Sequence, residues 1–234
     1  MLGLEVRFTY PAYLANGKDA NMGADAYFDV AKWQRGLGFM ADRAKNWTAF
    51  ASMSLRNELR EPVNSTTAEA YDWYTWYQNV VPAATGIHSN NSAPLIFFSG
   101  LNYDTDDTAL TNGQDLGNDT YWTPSSFPFA DKVVLEIHNY ANSATNCTSL
   151  TESLKENAYG AMDLNDTAYP VKAPVVMTEF GFNQEDGSAE GVYAQCIKST
   201  VLGQPGGPGG WMQWELGGSY YIRTGTQDFE ETWG

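Results

Sequence analysis

An α/β fold built on a parallel sheet is predicted by two observations. Strand-like apolar runs alternate with segments of helical periodicity along most of the 234 residues, the pattern of repeated strand–helix units. Two of these runs, ending in Asn57-Glu58 and Thr178-Glu179, turn polar only at their carboxyl ends. Such a strand delivers its last side chain to the rim of a parallel sheet or barrel, where α/β enzymes build their sites.

Taken in order, Tyr27 to Leu37 spaces its apolar groups as a helix does, and a strand follows over 49–57. Thr66-Thr67-Ala68-Glu69 has the form of a capping box, opening a helix over 67–88. A strand over 94–101 leads into Asn102–Pro128, rich in Asp, Thr, Asn and Gly and long for a connection, which reads as a loop bordering the site. Further strands are predicted at 132–139, 173–180 and 209–216, with helices at 150–162 and 189–202 between them. The Gly/Pro cluster from Gly203 to Gly210 precedes a strand, whereas a phosphate-cradling loop follows one, so it reads as a flexible helix-to-strand connection.

A composition of 43% hydrophobic and 18% charged residues supplies a full core for one catalytic domain over residues 1–234. The formal charge of −15 argues against nucleic acid and against anionic membranes as partners, while a neutral polymer is not repelled. No apolar run approaches the roughly 18 residues of a membrane span. The first residues, Met1 to Arg7, are too short and too charged for a signal peptide, so an export signal is expected upstream or already removed. Sequons at Asn46, Asn64, Asn90, Asn118, Asn146 and Asn165, with only two cysteines, point to a secreted, extracellular protein. Cys147 and Cys196 lack the spacing of a zinc or redox motif and are either one disulfide or two buried thiols.

A lone glutamate at a strand end is most often solvated or salt-bridged. Here Asn57-Glu58 is followed by Arg60-Glu61-Pro62, and Glu179 stands in Thr178-Glu179-Phe180-Gly181. These resemble the acid/base and nucleophile motifs of glycoside hydrolase family 5, a clan A family of retaining glycosidases that includes cellulases and mannanases. The resemblance runs from about residue 27 to the C-terminus and includes the order of the motifs. It implies that Glu58 is the acid/base, Glu179 the nucleophile and Asn57 the partner of the sugar 2-hydroxyl. His138 and Tyr140, in Glu136-Ile137-His138-Asn139-Tyr140, match the family's His-x-Tyr strand end, where the Tyr orients the nucleophile. Trp214 matches the sugar-stacking Trp of the final strand, with Trp211 as the alternative and the other of the two in the core. Glu61, Glu136 and Glu215 are assigned to support. His88 suits a helix end, where the dipole favours its charge.

The fold implied is a (β/α)8 barrel of the TIM type. A complete one takes about 250 residues, yet the acid/base strand, normally the fourth, already begins near residue 49. Val6-Arg7-Phe8-Thr9-Tyr10 resembles the second strand, whose Arg7 would bond around the nucleophile. The first strand and most or all of the third have no match, so an incomplete barrel is expected. Its open edges predict a homodimer that covers the gap. The function implied is a retaining, cellulase-like endo-β-1,4-glucanase acting on polysaccharide or oligosaccharide, with no metal or cofactor required. The alternatives are a carbohydrate-binding protein with impaired catalysis, and a mannanase or other β-glucanase. A metal-dependent hydrolase is disfavoured, because two isolated histidines supply too few ligands.

Overall fold

The computed structural model describes residues 29–59, 61, 70–183, 186–204, 209–214, 221–223 and 226–228. Arg7, Glu215, the Thr66–Glu69 segment and the centre of the Gly/Pro cluster lie outside these described residues.

Four strands, β1 (Ser52–Ser54), β2 (Leu95–Ser99), β3 (Val133–Asn139) and β4 (Val175–Phe180), pair in parallel in the order of the chain. They curl into part of a barrel, an incomplete (β/α)8 fold. Helix α1 (Val30–Arg43) precedes β1, α2 (Trp73–Asn90) links β1 to β2, α4 (Cys147–Asn157) links β3 to β4, and α5 (Val192–Leu202) follows β4. The connection from β2 to β3 carries only the one-turn α3 (Thr108–Thr111) and two short 3-10 turns. A hairpin of β5 (Tyr221–Arg223) and β6 (Thr226–Asp228) lies near the C-terminus.

Caps set the helix starts. Asp29 accepts the Lys32 N–H at 2.9 Å and Asp72 the Thr75 N–H at 2.7 Å, each satisfying an amide that the first turn leaves without an intrahelical partner. Asp72 moves the start of α2 to Trp73, later than the predicted 67. Pro82 interrupts the ladder of α2 from an exposed position and the helix continues through it. The helix predicted over 150–162 is two pieces, because it breaks at Ala158 (φ −158°) and resumes as a 3-10 turn over Tyr159–Met162.

The register sorts the sheet into two faces. Met53, Ile96, Phe98, Leu135, Ile137, Val175 and Met177 alternate onto the helix side and are buried in the core. Phe98 also anchors the long β2–β3 connection, since Trp122, Phe129 and Trp76 have ring centroids 5.8, 6.2 and 6.2 Å from its own. Most aromatic rings from that loop therefore serve packing. Within the predicted strand over 209–216, the described residues 209–214 form an isolated parallel bridge between Trp211 and Met177, extended by the Trp214 N–H donating to the Phe180 carbonyl at 2.8 Å.

Cys147, the first residue of α4, is disulfide-bonded to Cys196 in α5, with the two Cα atoms 5.1 Å apart. The bridge closes a sequence separation of 49 residues that includes the whole of β4. Reduction is expected to lower stability by about 2–4 kcal/mol, read as a fall in the urea midpoint, and non-reduced peptide mapping should recover the linked pair.

Candidate functional site

The opposite face of the sheet carries Phe97, Val134 and Val176 but is otherwise polar, which a barrel interior tolerates only if the polar groups find partners. Glu136, fully buried in the middle of β3, accepts the Ser54 hydroxyl from β1 on Oε2 and the Thr178 hydroxyl from β4 on Oε1, both at 2.6 Å. Ser99 of β2 donates its hydroxyl to the Arg56 carbonyl. Small hydroxyl residues on three strands thus line a floor around one carboxylate.

A β-bulge sets the direction of Glu179. Pairing between β3 and β4 runs Leu135–Val175, Glu136–Val176, Ile137–Met177 and then His138–Glu179, so Thr178 is the extra residue. Strict alternation would place Thr178 and Glu179 on opposite faces; the bulge puts both on the polar side. Glu179 is 7% exposed, and its Oε2 accepts the Tyr140 hydroxyl at 2.8 Å. Burial, then the Glu179 charge, raises the Tyr140 pKa far above the ordinary phenol range, so Tyr140 stays a donor.

Glu58 reaches the same place from a loop. The strand β1 ends at Ser54, Leu55 still donates to the Phe97 carbonyl, and Glu58 lies beyond with φ 49°, in the left-handed region. Its N–H donates to Asp104 Oδ2 at 2.7 Å. Its side chain, 21% exposed, has Oε1 3.2 Å from His138 Nδ1. Carboxyl oxygens of Glu58 and Glu179 and a ring nitrogen of His138 all lie within 4.8 Å of one another.

His138 is the cation of this cluster. Burial opposes its charge, but Glu136, Glu58, Asp104 and Glu179 surround the ring and push its pKa up to about 10. Its Nε2 lies 3.6 Å from Glu136 and 3.7 Å from Asp104, and its Nδ1 3.7 Å from Glu179. Burial pushes the Asp104 carboxyl up to about 8, with His138 opposing and Glu136 adding to the rise. Two triads, Glu58–His138–Glu179 and Asp104–Glu136–His138, have the proximity that a metal ion needs. Both triads share His138.

Glu58, Glu179, His138 and Tyr140 are therefore brought together, and Asn57 stands half-buried beside Glu58. Trp211 and Trp214 are 53% and 47% exposed, so neither is core. Trp211, bridged to Met177, falls on the helix side, where it meets Phe180 at 5.9 Å and lines a cavity with Gln213 and residues of α5. Trp214 follows three residues on, its N–H on the carbonyl of Phe180, the residue after Glu179. His88, in the last turn of α2, packs its ring 5.9 Å from Phe129. Sequence reasoning missed Asp104; its only signal was membership of the long loop expected to border the site.

Among known proteins, the family model for cellulase (glycosyl hydrolase family 5) matches residues 19–206. A glycosyl hydrolase 5 family protein of Chamaecyparis obtusa is 31% identical over 244 residues, covering 100% of this chain and 40% of its own. A β-glucanase from Saccharophagus degradans superposes with a TM-score of 0.60 at 16% identity, over 82% of this chain and 54% of that one, and is also known in complex with cellotetraose. An endocellulase of the archaeon Pyrococcus horikoshii gives a TM-score of 0.59 at 12% identity, over 86% and 59% of the two chains. The chain thus spans between two fifths and three fifths of the length of these relatives.

Proposed function

The chain belongs to glycosyl hydrolase family 5, and from that premise we propose that it is a retaining β-glycosidase cleaving internal bonds of a β-glucan, foremost a cellulase-like endo-β-1,4-glucanase. One observation carries the reading: carboxyl oxygens of Glu58 and Glu179 lie within 4.8 Å of each other. Retaining enzymes place their carboxyl groups about 5–5.5 Å apart, whereas inverting ones need about 6.5–9.5 Å to admit a water.

In this reading Glu58 gives its proton to the leaving glycosidic oxygen as that C–O bond breaks. Glu179, held by the Tyr140 hydroxyl, attacks the anomeric carbon through a carboxylate oxygen and forms a glycosyl ester. Glu58 then takes a proton from water, whose oxygen displaces Glu179 and restores both groups. Asn57 would hold the 2-hydroxyl and Trp214 would stack on a pyranose ring. The cellotetraose bound by the similar Saccharophagus β-glucanase supports a β-1,4-linked glucose chain as substrate. Secretion is supported by the disulfide and by the exposure of Asn46, Asn90, Asn118, Asn146 and Asn165, the sequon residues among those described.

A reducing-sugar assay over carboxymethyl cellulose, barley β-glucan, glucomannan, β-1,3-glucan and β-1,6-glucan tests the proposal. Release is expected to be fastest on a β-1,4-linked glucan, with a rapid fall in viscosity marking internal cleavage. Faster release from glucomannan would move the assignment to a mannanase. Binding of cello-oligosaccharides without release would favour the second reading, a carbohydrate-binding protein.

A further inference from the structure

The conformation of Glu58 is unusual for an L residue, and the groups that hold it come from one turn. Asn102, Tyr103 and Asp104 have φ of 52°, 63° and 56°, three consecutive non-glycine residues in the left-handed region. Such residues persist only where the surroundings over-determine them, and they concentrate at functional sites. This turn grips the Glu58 segment on both sides. The Asp104 carboxyl accepts the Glu58 N–H at 2.7 Å, and the Tyr103 N–H donates to the Leu59 carbonyl at 2.9 Å. The Tyr71 hydroxyl ties the two segments again, donating to the Leu59 carbonyl at 3.1 Å and accepting the Asn102 N–H at 2.6 Å. On its other side, the Asp104 carbonyl accepts the His138 N–H at 2.8 Å.

We propose that Asp104 is a positioning residue: its carboxyl locks the Glu58 backbone in the left-handed conformation that aims the Glu58 side chain, together with His138, at the glycosidic oxygen. The inference rests on the reading of Glu58 as the proton donor. Asp104 is 1% exposed, so it acts through Glu58 and not on the sugar. Any acceptor of this shape suffices for the clamp, which is why an amide can replace the carboxyl while an alkyl group cannot. Loss of the bond releases a backbone that L side chains rarely hold unaided, and displacement of a reacting group by about 1 Å costs on the order of a hundredfold.

Two measurements on the full chain test this. In the first, kcat and KM are compared on a dinitrophenyl cellobioside, whose leaving group needs no proton, and on an alkyl cellobioside, whose leaving group does. Asp104→Ala is expected to lose roughly ten- to a hundredfold in kcat/KM on the alkyl glycoside, while kcat/KM on the aryl glycoside, which reports only the step that needs no proton, changes at most a few-fold. Asp104→Asn restores most of the loss. An equal loss of kcat/KM on both substrates, or no rescue by Asn, would overturn the positioning role. Glu58→Ala is the control: if it shows no dependence on leaving group, the acid/base reading fails, and the proposal with it. In the second, hydrogen exchange at the Glu58 amide is followed by NMR, independent of turnover. Protection is expected in the wild type and in Asp104→Asn, with exchange at least tenfold faster in Asp104→Ala; unchanged protection refutes the clamp. Asp104→Leu, which fills the same space without an acceptor, carries the same expectation where Asp104→Ala does not fold.

Discussion

Glu179→Ala is expected to reduce turnover to background on every substrate, because the variant has no group left to form the glycosyl ester. Glu58→Ala is expected to fail differently: about 10²- to 10⁴-fold slower on natural linkages, the usual contribution of general acid–base catalysis, yet still active on aryl glycosides whose leaving groups depart unprotonated. Azide separates the two further. In the Glu179 variant it enters the vacated space and attacks the anomeric carbon directly, giving a glycosyl azide of inverted configuration. In the Glu58 variant it intercepts the ester, and two inversions give retention. Chromatography and NMR of the products read the outcome. Activity surviving in both variants would show that the pair is misassigned.

How legible each part was in the sequence follows from how local its cause is. The strands at 132–139 and 173–180 are recovered nearly to the residue as Val133–Asn139 and Val175–Phe180, because an apolar run buried on the helix side has a signature that the chain itself carries. The sheet that places Glu179 beside His138 is legible in the same way, but the bulge at Thr178 is not. Two adjacent polar residues read as the end of a strand, and nothing local says that both face inward. Glu58 was located by its motif and not by its strand, which ends four residues earlier at Ser54. What turns it toward the site is the Asn102–Asp104 turn, 46 residues away in sequence from the amide it holds. Interactions of that span leave no periodicity, so Asp104 looked like one acid among many. Trp211 and Trp214 likewise both read as final-strand aromatics, one of them expected in the core, and only the fold shows that both are exposed.

Glu136 is expected to be the most costly side chain of the site to remove, even though it touches no substrate in the proposed mechanism. Its two oxygens take the Ser54 and Thr178 hydroxyls, and it faces His138 at 3.6 Å, so truncation leaves a buried cation short of its counter-charge and two buried hydroxyls without their acceptor. Breaking a buried pair from one side typically costs about 3–5 kcal/mol, and Glu136→Ala should lower the urea midpoint accordingly. Glu136→Gln, which keeps an acceptor but removes the charge, separates hydrogen bonding from electrostatics through pH. In the wild type the His138 pKa is raised to about 10 from an unfolded value near 6.5. Its stabilisation is therefore fully present below about pH 6.5, declines as pH rises, and is gone once pH passes about 10. Without the Glu136 charge the folded His138 binds its proton less tightly, so the decline in stability should still set in near about pH 6.5 but be smaller and finish at lower pH. A pH–stability curve of Glu136→Gln that merely lies below the wild type, with the same shape, would mean that the charge of Glu136 does not hold the proton on His138.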